Sequence, residues 1–243
     1  MKTLAVVNQK GGVGKSTTAA AIGDALRDSG AAVLFVDLDA QGNLTHTLGA
    51  APNGGSLAAM KGTAEVQHTD RGDVLASAPA LAAADITITE TGKEYRLREA
   101  LQKLSYDYCV IDTPPTLGIL TVNALTAADG AIIPAQADIY SLQGIAQLAS
   151  TTDAVRKYCN PGLKLLGILI TRYNGRAVIR REAADALKQT AKKLGTQLFD
   201  TRIRDCTAIV EAQARRESIF TYAPKSNAAR DYRAFTDELK GVI

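Results

Sequence analysis

Along the chain, short unbroken apolar runs alternate with longer stretches of helical spacing. The runs at 3–8 (TLAVVN) and 31–39 (AAVLFVDLD) show no period-two alternation, which marks strands covered on both faces, as in a parallel sheet. Between them, residues 16–30 (STTAAAIGDALRDSG) carry helical spacing and stop at Gly30, placed as a residue just beyond a helix end. The same logic predicts strands at 73–77, 107–112, 130–134, 164–171 and, more weakly, 197–201. It predicts helices over about 93–104, 116–127, 141–158, 178–194, 205–215 and 226–240. Residues 40–72 are Gly- and Ala-rich without a clear period and read as loop with a short helix. The sum is an α/β fold: a doubly wound, mostly parallel sheet with helices on both faces, in a single domain spanning 1–243.

Composition narrows the function classes. Hydrophobic content of 46% and charged content of 22% are those of a globular protein. No apolar run approaches the roughly 18 residues of a membrane span, and the apolar run of the start is too short for a signal peptide. A cytoplasmic protein is expected. Cys109, Cys159 and Cys206 are scattered and odd in number, which argues against disulfides and zinc. His46 and His68, the two histidines, have no nearby ligand set, which argues against histidine-based catalysis. Residues 1–150 hold 10 Lys and Arg against 15 Asp and Glu, whereas 151–243 hold 18 against 10, so the net +3 conceals a basic C-terminal third.

The chemistry is concentrated in QKGGVGKST (9–17). Gln9 stands where the usual phosphate loop has its first glycine. The rest of the pattern is present. Gly11, Gly12 and Gly14 let backbone N–H groups turn onto phosphate oxygens, Lys15 supplies charge for the β- and γ-phosphates, Ser16 offers a hydroxyl to Mg²⁺, and the helix beyond adds its positive end. Asp112 closes a strand before TPP and suits a Mg²⁺-side carboxylate, while Asp37 and Asp39 close the second strand. A phosphate loop needs one lysine, and a second, Lys10, stands five residues before Lys15.

KGGVGKST, DLDAQGN (37–43), DTPPTLG (112–118) and IIPAQADIYSLQGIAQL (132–148) together resemble the ParA/Soj family of DNA-partition ATPases, members of the deviant Walker A class of P-loop NTPases that also contains MinD. The resemblance implies an ATPase using ATP and Mg²⁺. Its nucleotide site would comprise Lys10, Gly11, Gly12, Val13, Gly14, Lys15, Ser16, Thr17 and Asn174, with Ser16, Asp39 and Asp112 on the metal side. It assigns catalysis to Lys10, Lys15 and Asp39, with Asp39 orienting the attacking water. It gives Lys10 to the nucleotide of the partner subunit, so that ATP closes a homodimer; two facing triphosphates repel, and a lysine from each side offsets that charge. It further implies nonspecific DNA binding by the closed dimer, a ParB-like adaptor that stimulates slow hydrolysis, and a nucleoid-associated location. Ala40 stands where the family commonly has Pro, which predicts a looser loop around Asp39.

The late basic excess supplies the DNA candidates Arg181, Arg204, Arg215 and Arg216, of which Arg204, Arg215 and Arg216 are expected to lie away from the phosphate loop. On helix 178–194, Arg181, Lys188 and Lys192 share a stripe, with Ile179, Ala183, Ala186, Leu187 and Leu194 facing the core. Two alternatives remain: a MinD-like ATPase cycling on a membrane, disfavoured by the acidic end of the last helix, and a non-hydrolysing ATP-dependent scaffold.

Overall fold

The computed structural model describes residues 1–174 and 178–243. Its strands are β1 Lys2–Val6, β2 Val33–Asp37, β3 Gln67–Thr69, β4 Gly72–Leu75, β5 Tyr108–Asp112, β6 Gly130–Ala135, β7 Lys164–Tyr173 and β8 Leu198–Arg204. They form one sheet in the order β3-β4-β2-β5-β1-β6-β7-β8. Every pairing is parallel except β3 with β4.

Successive side chains of each central strand enter opposite layers. Leu4 and Val6 of β1 join Phe35 and Val110 on one face, while Ala5 joins Leu34, Val36 and Ile111 on the other. The first face is covered by the helices Lys15–Asp28, Thr207–Arg215 and Asn227–Lys240, and the second by Arg96–Leu101, Ile119–Ala127, Ile139–Tyr158 and Val178–Lys193. Contact on the first face is close: a Cβ at Gly23 would stand 2.1 Å from the Phe35 ring, so only glycine lets this helix lie down on β2. The apolar face of the last helix, including Tyr232, Phe235 and Leu239, is consumed by packing within the chain. Among the described residues no helix is long and apolar enough to cross a membrane.

All seven expected strands are present, with ends displaced by a few residues. The stretch 40–72 departs from expectation. It holds two short helices, Asn43–Thr47 and Gly55–Met60, and the edge strand β3. Gln-His-Thr carries no apolar alternation, so nothing in its pattern announces a strand. Its pairing is fixed by the turn, where the Thr69 hydroxyl donates to the Gly72 carbonyl at 2.8 Å and Gly72 takes φ +124°. A second departure concerns Ile179, expected in the core and found 59% exposed. The buried stripe of its helix runs through Ala183, Ala184, Leu187 and Ala191, and continued one turn back it falls on Arg180 rather than on Ile179.

Candidate nucleotide-binding site

Parallel register assembles the site. Val6, Asp112 and Asp37 occupy equivalent positions on β1, β5 and β2. β5 lies between the other two, so the strand carrying Asp37 does not adjoin β1 directly. The chain leaves β1 toward β2 on one side and returns to β6 on the other, making the end of β1 a topological switch point, where open α/β sheets bind ligands. A cavity of about 720 Å³ opens there. Gly11, Gly12, Gly14, Lys15, Ser16, Thr17 and Asp39 line one side, and the chain from Ile203 to Cys206, with Ile209, Val210 and Gln213, lines the other. The glycine loop thus faces a mixed wall, in which Ile203, Ile209 and Val210 form an apolar shelf beside Arg204, Asp205 and Gln213. A nucleotide site needs apolar surface for its base as well as polar groups for its phosphates.

The glycine loop is held in shape before any ligand arrives. Gly12 and Gly14 take φ +72° and +87°, left-handed values that strain other residues, and Gly14 caps the helix Lys15–Asp28. The Lys15 ammonium donates to the Lys10 carbonyl at 3.2 Å. From behind, Thr171 Oγ1 donates to the Val13 carbonyl at 2.7 Å and Gln136 Nε2 to the Gly12 carbonyl at 3.1 Å. Val13 itself is fully buried and does not line the cavity. Burial pulls the Lys15 pKa down, while Asp112 and Asp39 oppose the shift.

The three acids differ in what they hold. Asp37 accepts Asp39 N–H at 3.1 Å on one oxygen and both the N–H and hydroxyl of Thr45, each at 2.8 Å, on the other, so it organises the loop that follows β2. Burial still pushes its pKa up to about 6. Asp39 accepts Gln41 N–H at 3.0 Å and lines the cavity, while its carbonyl accepts Gly42 N–H at 2.9 Å and the Ser77 hydroxyl. These contacts hold the loop with Ala40 in place. Asp112 is fully buried; the Ser16 hydroxyl stands close beside it, yet neither carboxylate oxygen makes a hydrogen bond of full geometry among the described residues. Burial, and then the charge of Asp37, raise its pKa well above the usual carboxylate range; Ser16 and Lys15 pull the other way.

An orphaned carboxylate beside a hydroxyl and two further acids is a place short of positive charge. Among the described residues no three His, Cys, Asp or Glu side chains converge as a metal cage. That suits Mg²⁺, which keeps waters and takes most other ligands from phosphate oxygens. The residues present fit it.

Other candidates are placed differently. Lys10 does not line the cavity; its ammonium pairs with Asp138 at 2.6 Å. Asn174 is exposed and outside the lining, where Thr171 and Arg172 stand instead. Arg204, expected away from the phosphate loop, lines the same cavity. Its backbone N–H and guanidinium grip Asp231 at 2.6–3.0 Å, because β8 packs against the last helix. Arg181, Arg215 and Arg216 are exposed and outside the lining, although Ala214, next to Arg215, belongs to it; the Arg215 guanidinium lies 5.5 Å from the Tyr222 ring centre. Sequence reasoning missed Gln213, whose Nε2 donates to Thr17 Oγ1 at 2.9 Å, since it belongs to no quoted motif, and gave no role to Asp138, although that residue lies within the 132–148 stretch.

A family model described as an AAA domain matches residues 1–165. The chromosome-partitioning ATPase Soj of Thermus thermophilus is 38% identical over 246 residues, covering all of this chain and 97% of its own. The sporulation initiation inhibitor protein Soj of Bacillus subtilis is 35% identical, with 98% of each chain covered. Among solved structures, a Mycobacterium smegmatis protein named cobyrinic acid a,c-diamide synthase, with bound ATP analogue and magnesium, superposes with a TM-score of 0.83 at 37% identity, over 98% of this chain and 93% of that one.

Proposed function

Because the chain belongs to the Soj/ParA family of partition ATPases, we propose that it binds ATP with Mg²⁺ in this cavity, closes a homodimer around the nucleotide, holds DNA without sequence preference and releases it on hydrolysis. The observation that carries the reading is the buried Asp112 carboxylate, level with the end of the strand that leads into the glycine loop and behind the cavity wall rather than in its lining. Gly11, Gly12 and Gly14 leave backbone N–H groups open to phosphate oxygens, and Lys15 places an ammonium beside them. Ser16 and Asp112 would hold the cation, with Asp39 near it. Mg²⁺, when bound, neutralises phosphate charge and draws it toward the leaving group. Asp39, pinned at the cavity wall, orients the attacking water and takes its proton. The apolar shelf of Ile203, Ile209 and Val210 receives the base. Lys10, turned to the rim, serves the partner's phosphates. Arg181, Arg215 and Arg216 belong to the DNA face. A ParB-like adaptor stimulates turnover, which places the protein in the cytoplasm on the nucleoid.

The amide synthesis in the name of the Mycobacterium smegmatis protein is not carried over, since the Soj relatives, similar to this chain to the same degree, are not named for it. The test is the Mg²⁺ dependence of ATP affinity in wild type and Asp112→Asn. Wild type should bind ATP more tightly with Mg²⁺ than without, and the variant should lose most of that gain. An unchanged Mg²⁺ effect in the variant overturns the assignment.

A further inference from the structure

Lys10 has its backbone fixed and its side chain committed elsewhere. Its N–H donates to Asn8 Oδ1 at 2.9 Å and its carbonyl accepts the Lys15 ammonium at 3.2 Å. The side chain leaves the cavity and meets Asp138, at the start of the helix Ile139–Tyr158. Asp138 divides its oxygens between two tasks. Oδ1 caps the helix by accepting Ser141 N–H at 2.9 Å, and Oδ2 accepts the Lys10 ammonium at 2.6 Å. Both side chains are 30% exposed, so the pair sits at the rim, within reach of a second molecule. Burial would raise the Asp138 carboxyl, but the hydrogen bonds from Lys10 and Ser141 outweigh it and hold the group below the usual carboxylate range.

We propose that Asp138 is a positioning residue for Lys10: it parks the ammonium within its own chain, and nucleotide-dependent dimerisation requires each protomer to exchange that contact for the partner's phosphates. The proposal rests on the reading of Lys10 as a lysine that acts across the dimer. Only one side-chain contact has to break, because the Lys10 backbone is held independently. The helix cap survives the exchange, because it uses the other oxygen. A polyphosphate carries more charge than one carboxylate, so the exchange goes forward when ATP is bound. A half-exposed ion pair of this kind shifts an equilibrium by about 2- to 5-fold. A dimer releases two pairs, so Asp138 should weaken dimerisation by about 4- to 25-fold, the square of that factor.

The experiment measures the dimer dissociation constant by sedimentation with a non-hydrolysable ATP analogue and Mg²⁺, for wild type, Asp138→Asn, Asp138→Ser and Lys10→Ala. Asn and Ser both cap helices, so they remove the charge and keep the cap. Both variants should dimerise about 4- to 25-fold more tightly, with little change in the unfolding midpoint of the nucleotide-free monomer. Dimerisation unchanged or weakened in both, while Lys10→Ala abolishes it, overturns the parking role alone. Normal dimerisation of Lys10→Ala overturns the reading of Lys10 itself.

Discussion

The ends of β2, β5 and β1 and the basic final third use charge in opposite ways. At the strand ends Asp37, Asp39, Asp112 and Lys15 lie close enough to shift one another's protonation, and the Asp112 carboxylate among them is fully buried without a hydrogen bond of full geometry. In residues 151–243 the cations are spread over several elements, and many are already engaged: Arg204 with Asp231, Arg202 with Tyr173, Arg215 over Tyr222, Arg233 over Phe220. Convergence leaves charge unbalanced and waiting for a ligand. Dispersal leaves single residues replaceable. Single substitutions should therefore act strongly at the first region and weakly at the second.

The largest effect is expected at Asp39. Asp39→Ala should bind ATP and dimerise while hydrolysis falls by about 10²- to 10⁴-fold, the range of a lost general base. Such a trapped dimer should also hold DNA longer than wild type. A normal rate of phosphate release would remove Asp39 from the chemistry, and Asp37 could not replace it, since both its oxygens are taken by the loop.

Asp37 gives the next effect, seen in stability. Burial raises its pKa from 3.8 to about 6, so the folded chain holds this proton more tightly than the unfolded chain does. The contribution is complete below about pH 4 and is lost as pH rises through about 6, by up to about 3 kcal/mol. Urea titrations from pH 4 to 7 should show wild type losing stability relative to Asp37→Asn across that window. A difference that stays flat with pH would show that the strand ends are not short of positive charge.

Lys15→Ala should weaken ATP binding by about 10- to 100-fold, the value of a charge-assisted contact to phosphate. Arg204→Ala sharpens the comparison, since it belongs by sequence to the basic third but by position to the cavity. It should lower ATP affinity by a few-fold, and an effect confined to DNA would return it to the other region.

What was legible in the sequence follows the same division. The seven strands and the phosphate loop were readable because parallel register turns sequence landmarks into neighbours: a strand-end Asp at 112 must lie level with the end of β1 once the strands pair. The partnership of Lys10 with Asp138 spans 128 residues and that of Arg204 with Asp231 spans 27, and no periodicity encodes either. β3 was hidden for a related reason, since a three-residue edge strand owes its pairing to a turn rather than to an apolar pattern.

The smallest effect is expected from Arg215 and Arg216, which end the helix Thr207–Arg215. Their plainest role is local: cations at a helix C-terminus stabilise it by a few tenths of a kcal/mol, and Arg216 closes the helix with φ +58°. If they also meet DNA, affinity for random-sequence duplex should require ATP, ignore sequence and fall with salt, with a log–log slope of about −0.9 per phosphate contact. Replacing both with Ala should make that slope shallower by about 2 per protomer and leave ATP-dependent dimerisation intact, because neither residue lines the cavity. Arg181, exposed on the helix Val178–Lys193, should add about 1 more when replaced as well. Unchanged slopes in both variants would mean that this charge serves helix ends and solvation only. Strong DNA binding without nucleotide would instead separate the basic third from the strand ends, and the two regions would no longer act as one switch.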